Sequence, residues 1–282
     1  MKLAKAAIAA FCICVALSLI IGTLLLLQVR AIPKYTRMVD TGKQIAESVL
    51  EMELQEQAYL LYRREDVVDT IRDTIDDLRK LQSSYEKAGI AKKSTESVEL
   101  AAWEEATNLY ERLFDQFILY RKAVESNIAE IRDLEKSILA VIYSKMNPER
   151  GIIGLQEVRI HEKGYLLYRN HPEPPDERSF QDKRKEAVAN FLVWAHDDKR
   201  IEELMGKDDE LFNEILSNYE SQDNIVLSLK RESRRIQDIG DRLFEEGNKG
   251  LKITQHRCAF LSVTLLVMWM IVGIAIVSTR LR

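Results

Sequence analysis

Two uninterrupted apolar runs, Ala6 to Leu27 and Ala259 to Ser278, carry no charged residue and bracket nearly everything else in the chain. Each holds roughly 20 residues, which at about 1.5 Å per helical residue matches a hydrocarbon core of roughly 30 Å. A signal-peptide apolar region runs to only about 7 to 15 residues, so 6–28 reads as a transmembrane helix, with cleavage after Val29-Arg30-Ala31 as the alternative. With 259–278 as a second span, residues 1–5 and the tail 279–282 share one side of the membrane, and 35–256 occupies the other. Lys2, Lys5, Arg280 and Arg282 sit at the terminal ends, but Arg30, Lys34 and Arg37 crowd the opposite end, so charge bias is a partial guide. Long domains translocate largely regardless of charge. The expected placement is a two-pass protein of a bacterial inner membrane, termini cytoplasmic and large domain periplasmic.

Between the spans glycine and proline are sparse, charge is dense, and apolar residues recur at three and four, which predicts helix throughout. Breakers fall at Ala88-Gly89-Ile90, Asn147-Pro148, His171-Pro172-Glu173-Pro174-Pro175 and Gly206, with a further turn near Arg64-Glu65-Asp66. The predicted helices are 35–64, 66–87, 95–146, 149–170, 176–205 and 208–256. At about 1.5 Å per residue, alternating up and down, their heights close as a rod. The expected fold is all-α: two stacked four-helix bundles sharing the long third and sixth helices. A repeat supports two related units, 35–146 and 149–256: Glu56-Gln57-Ala58-Tyr59-Leu60-Leu61-Tyr62-Arg63 returns 106 residues later as Glu162-Lys163-Gly164-Tyr165-Leu166-Leu167-Tyr168-Arg169. Cys12, Cys14 and Cys258 all lie in or beside the apolar runs, so the domain has no disulfide and must rely on its own core. A net charge of -4 leaves no nucleic-acid footprint.

The third helix has a heptad seam at Trp103, Thr107, Tyr110, Phe114, Phe117, Arg121, Val124, Ile128, Ile131, Glu135, Ile138 and Ile142. The first follows with Met38, Gly42, Ile45, Val49, Met52, Glu56, Tyr59 and Arg63, and the fourth with Leu155, Val158, Glu162, Tyr165 and Arg169. A charge inside a bundle costs several kcal/mol unless it is paired or faces a polar ligand. Either these charges form interhelical salt bridges that fix register, or they line a cavity for a small carboxylate, which the planar donor fork of arginine fits. On the second reading the candidate ligand-binding residues are Tyr59, Tyr62, Arg63, Tyr110, Arg121, Glu162, Tyr165 and Arg169, with Tyr120 as a further neutral donor. In the sixth helix the periodicity slips near Asp223 and leaves open which of Lys230, Arg231, Arg234 and Arg235 faces inward.

Catalytic and metal signals are weak. His161-Glu162 begins an H-E-x-x-H pattern, but position 165 is tyrosine. His196-Asp197-Asp198 cannot all face one point on a helix. No nucleophile motif or phosphate loop is recognisable, so no enzyme, cofactor or metal is expected.

Two spans, a disulfide-free helical region and duplicated E-x-x-Y-L elements, each followed by a short and a long helix, resemble the helical bimodular (HBM-type) periplasmic sensor domain of bacterial chemoreceptors and sensor kinases over roughly 35–256. The resemblance implies binding of small carboxylates such as tricarboxylic-acid intermediates and acetate, a homodimer in the membrane lipid, and a piston-like helix shift. Those receptors continue into a cytoplasmic signalling domain, whereas this chain ends at Thr279-Arg280-Leu281-Arg282. The expectation is therefore a truncated or split sensor, or a stand-alone protein lending its sensor to a cytoplasmic or membrane signalling partner. The alternative is a structural coiled-coil scaffold or spacer of a membrane complex, with no small ligand.

Overall fold

The protein, a computed structural model, is described over residues 2–62, 65–88, 94–169, 177–196 and 198–280. Among these every regular element is a helix: α1 (Lys2–Tyr62), α2 (Asp66–Lys87), α3 (Ser94–Tyr143), α4 (Pro148–Tyr168), α5 (Glu177–Ala195) and α6 (Lys199–Arg280). Of these, α1 and α6 are long and apolar enough to cross a membrane, and no residue of their apolar windows is buried. Each continues from its apolar run into the charged region without a break. In α1 the helix passes through Pro33, six residues past the end of the apolar run, whose ring removes one N–H and crowds the carbonyl a turn earlier. The three cysteines are unpaired.

Most boundaries follow the breakers. α4 starts at Pro148, which has no N–H to leave unpaired in the first turn, after Asn147 at a φ of 100°, a left-handed conformation that asparagine tolerates. Three expected bounds are corrected. The third helix ends at Tyr143 rather than 146. The fifth ends at Ala195 rather than 205, and the sixth begins at Lys199 rather than 208. The break sits ahead of Gly206 because Asp198 caps α6, its carboxylate accepting from the N–H groups of Arg200 (3.0 Å) and Ile201 (3.2 Å). Lys145, from the turn after α3, lies 2.9 Å from the Asp198 carboxylate and donates to the Ala195 carbonyl at 3.2 Å. That lysine, with the two backbone donors, holds Asp198 below the usual carboxylate range. Gly206 sits on the open face of α6, between the buried Met205 and Asp208, whose packing outweighs the glycine's weak propensity of about 1 kcal/mol.

The chain divides into two compact units: unit 1 is residues 1–113 with 228–282, and unit 2 is 114–227. Unit 1 draws its core from Ile45, Val49 and Met52 of α1, Ile71, Ile75 and Leu78 of α2, Trp103 and Tyr110 of α3, and Leu229, Ile236 and Leu243 of α6. Unit 2 joins Ile138 and Ile142 of α3, Leu155 and Val158 of α4, Ala187 and Phe191 of α5, and Ile201 and Met205 of α6. A second cluster there gathers Val124, Ile131, Tyr165, Phe212, Ile215 and Tyr219. The expected α3 seam is buried at every position except Ile128 and Glu135, which are half-buried.

Within unit 1, α1 and α6 meet backbone to backbone. A Cβ on Gly42 would lie 2.5 Å from the Gly240 carbonyl oxygen and 2.8 Å from the Phe244 amide nitrogen, and one on Gly247 would lie 2.9 Å from the Tyr35 carbonyl oxygen. Only glycine fits there. Gly42→Ala is expected to cost about 1–3 kcal/mol by overpacking. Gly206→Ala, with open space around it, should gain about 0.5–1 kcal/mol. Chemical denaturation of the detergent-solubilised chain, followed by circular dichroism, would give the two opposite signs.

Candidate functional site

Glu162, the acidic residue of the second repeat copy, is buried in unit 2 with its side chain 5% exposed. Spacing on α4 brings Arg159 onto the same inward face one turn earlier. α5 contributes Arg184 and α6 contributes Asp208, whose side chain is fully buried. Arg159 donates to Glu162 at 2.5 Å and stands 2.7 Å from Asp208. Arg184 donates to Glu162 at 2.8 Å, to Asp208 at 3.0 Å and to the half-exposed Asp209 at 2.5 Å. Two guanidiniums and two carboxylates thus close a square in which each group meets two opposite charges, which offsets a desolvation cost of several kcal/mol per ion. The Phe212 ring lies 4.2 Å from the Arg184 guanidinium carbon and adds a cation–π contact. Burial, then the charge of Asp208, pushes the Glu162 carboxyl upward, opposed by Arg159 and Arg184.

Two buried donors of Arg159 make no hydrogen bond among the described residues: Nε, whose ion pair with Glu135 spans 3.6 Å, and Nη2, which stands 2.7 Å from Asp208. Arg159 lines a cavity of about 80 Å³ with apolar walls from Ile128, Ile131, Leu166, Phe212 and Ile215, and with Arg132, Glu135, Glu162 and Lys163 as its polar lining.

The other predicted residues distribute as follows. Tyr165 is buried edge-on against Phe212, ring centroids 5.9 Å apart. Arg169 stacks 3.9 Å from the Tyr219 ring centre, donates to the Tyr219 carbonyl at 2.9 Å and pairs with Asp223 at 2.6 Å. Arg121, with its side chain 6% exposed, pairs with the half-exposed Glu125 at 3.5 Å. Tyr120 is exposed. Tyr59 and Tyr110 are buried in unit 1, where the Tyr110 hydroxyl donates to Glu56 at 3.3 Å. Arg63 and the Tyr62 side chain lie outside the described residues, as does His171. In α6, Lys230, Arg231 and Arg234 are exposed and Arg235 is half-buried, and the inward residues are Glu232 and Ser233. Sequence reasoning missed Arg159, Arg184 and Asp208. The available signal was the Arg159–Glu162 spacing, with an oppositely charged pair on one helix face.

The two repeat copies treat their glutamate differently. At the 106-residue offset, Arg159 corresponds to Glu53 and Arg184 to Leu78, so Glu56 has no guanidinium in either place. Burial raises the Glu56 carboxyl to about 7, against the pull of the Tyr110 hydrogen bond and of Lys230, with Glu53 adding to the rise. The same environment pushes the Tyr110 hydroxyl upward.

Two outcomes follow from these geometries. Asp208→Ala leaves both buried arginines short of a carboxylate and should cost about 3–5 kcal/mol in urea denaturation. Glu56 binds its proton more tightly folded than unfolded, so stability is full below the unfolded value of 4.5 and falls as pH rises towards about 7. The loss amounts to about 3 kcal/mol, and Glu56→Gln should flatten that slope.

Comparison with models of known protein families, with curated proteins and with solved structures finds no match to this chain, so its function is read from the side chains themselves.

Proposed function

We propose that this chain is a two-span sensor of a bacterial inner membrane whose periplasmic helical domain binds a small carboxylate and passes a helix shift across the bilayer. The observation that carries this reading is the Nε of buried Arg159, which makes no hydrogen bond among the described residues and faces Glu135 at 3.6 Å, at the wall of a cavity of about 80 Å³. That volume suits about three waters or an acid of the size of acetate, with the methyl group against the isoleucines and the carboxylate on the guanidinium. Arg121 is a second buried guanidinium, held among the described residues by an ion pair at 3.5 Å. Asp208, the partner of Arg159, lies on α6, and the same helix runs on into its candidate span. Binding that alters the square would bias the height of α6 against α1 across the glycine crossing, a shift of the order of 1–2 Å. The stacked two-bundle architecture, the homodimer and the separate signalling partner belong to the same proposal, which assigns no catalysis and no cofactor.

A structural scaffold is the second reading. It is favoured by Arg184 and Arg169, whose donors are met by the chain's own carboxylates and carbonyl. Calorimetry on the full chain in nanodiscs separates the two readings. Acetate should bind with micromolar to millimolar affinity, and Leu166→Phe, which fills the cavity, should weaken binding at least tenfold while the helical content stays native. Arg121→Leu reads out the second cation. Absence of heat with acetate and with larger carboxylates would leave the scaffold.

A further inference from the structure

A larger concavity lies within unit 1, where α1 and α6 leave the domain. It is a groove of about 400 Å³ lined by Leu24 and Gln28 of α1 and by His256, Arg257, Phe260 and Leu261 of α6. Its chemistry is divided along the helix axes. Gln28, His256 and Arg257 stand at the domain end of the two apolar runs, whereas Leu24, Phe260 and Leu261 lie up to a turn inside them. The surrounding sequence is one-signed. Residues 28–37 and 249–257 hold Arg30, Lys34, Arg37, Lys249, Lys252 and Arg257, and no aspartate or glutamate. Arg30, Arg37, Lys249, Lys252, His256 and Arg257 are all exposed.

We propose that this groove binds one anionic phospholipid of the domain-facing leaflet, its phosphate held by Arg257 and His256 with Gln28, and its first acyl carbons laid along Leu24, Phe260 and Leu261. The occupant must be an amphiphile with an anionic head, because the polar and apolar linings meet at the level where a bilayer passes from headgroup to hydrocarbon. A guanidinium presents a fork of donors matched to phosphate oxygens. The basic collar outside the groove adds leaflet-level attraction without choosing a single lipid. This inference requires that the two apolar runs span a bilayer, and it stands apart from any carboxylate bound in unit 2. Its consequence is that lipid composition acts on the α1–α6 pair directly at the membrane, below the glycine crossing.

Native mass spectrometry of the full chain, released from detergent with phosphatidylglycerol or phosphatidylcholine added, tests the proposal. One phosphatidylglycerol should be retained about tenfold more tightly than phosphatidylcholine, and free inorganic phosphate should neither bind nor compete. Arg257→Gln should reduce that preference about fivefold or more, the scale expected for one basic residue at a lipid surface. Leu261→Trp, which fills the apolar floor, should reduce retention of both lipids. Arg30→Gln, in the collar but not in the groove, should leave the preference within about twofold. Equal retention of the two lipids, an unchanged Arg257→Gln, an equal loss in Arg30→Gln, or competition by free phosphate would each overturn it.

Discussion

The buried square of Arg159, Glu162, Arg184 and Asp208 fixes how three helices of unit 2 meet, because none of the four can leave without stranding another. A guanidinium or carboxylate taken out of water costs several kcal/mol, and only the geometry seen here, with contacts of 2.5 to 3.0 Å, offsets it. The apolar residues around the square are interchangeable in kind, but the charges are not, so the ions set the register of α4, α5 and α6 while the aliphatic core supplies the bulk of the burial. Phe212 serves both, closing the aliphatic cluster while lying against Arg184.

Unit 1 carries the same glutamate with a different solution. Glu56 meets a tyrosine hydroxyl in place of two arginines, and the positions equivalent to Arg159 and Arg184 hold Glu53 and Leu78. A carboxyl so placed is cheaper to bury protonated, which is why it titrates near neutrality and its counterpart is held by ion pairs. One duplicated element therefore gives a register lock in one unit and a proton-sensitive contact in the other. At that offset the four positions of the square read Glu53, Glu56, Leu78 and Ala102, so its ion pairs are not repeated there.

Much of the fold was legible because a 3.6-residue period, sparse glycine and proline, and a few strong breakers act locally. The α3 seam from Trp103 to Ile142, the start of α4 at Pro148 and the inward Glu56 and Glu162 all came from spacing. Misreadings arose where a distant partner decides. Gly206 looked like a break, but the break is where Lys145 reaches Asp198 from another turn. Gly42 looked like an ordinary seam position, whereas its role comes from Gly240, almost 200 residues away. Arg184 and Asp208 carry no motif at all, and their function appears only when α5 and α6 are packed against α4. The slipping period of α6 has the same cause: Glu232 and Ser233, not the flanking cations, turn inward, and Ser233 donates to Glu53 at 2.8 Å.

Sensing as proposed requires that a ligand beside Arg159 move α6 relative to α1 in unit 1. Spin labels at the exposed positions Glu47 of α1 and Asp238 of α6, in a chain whose three cysteines are replaced by serine, report that separation by pulsed electron–electron resonance in nanodiscs. Saturating acetate should displace the distance distribution by about 1–2 Å while chloride at equal ionic strength does not. An identical distribution with and without bound acetate would contradict signal transfer through these helices.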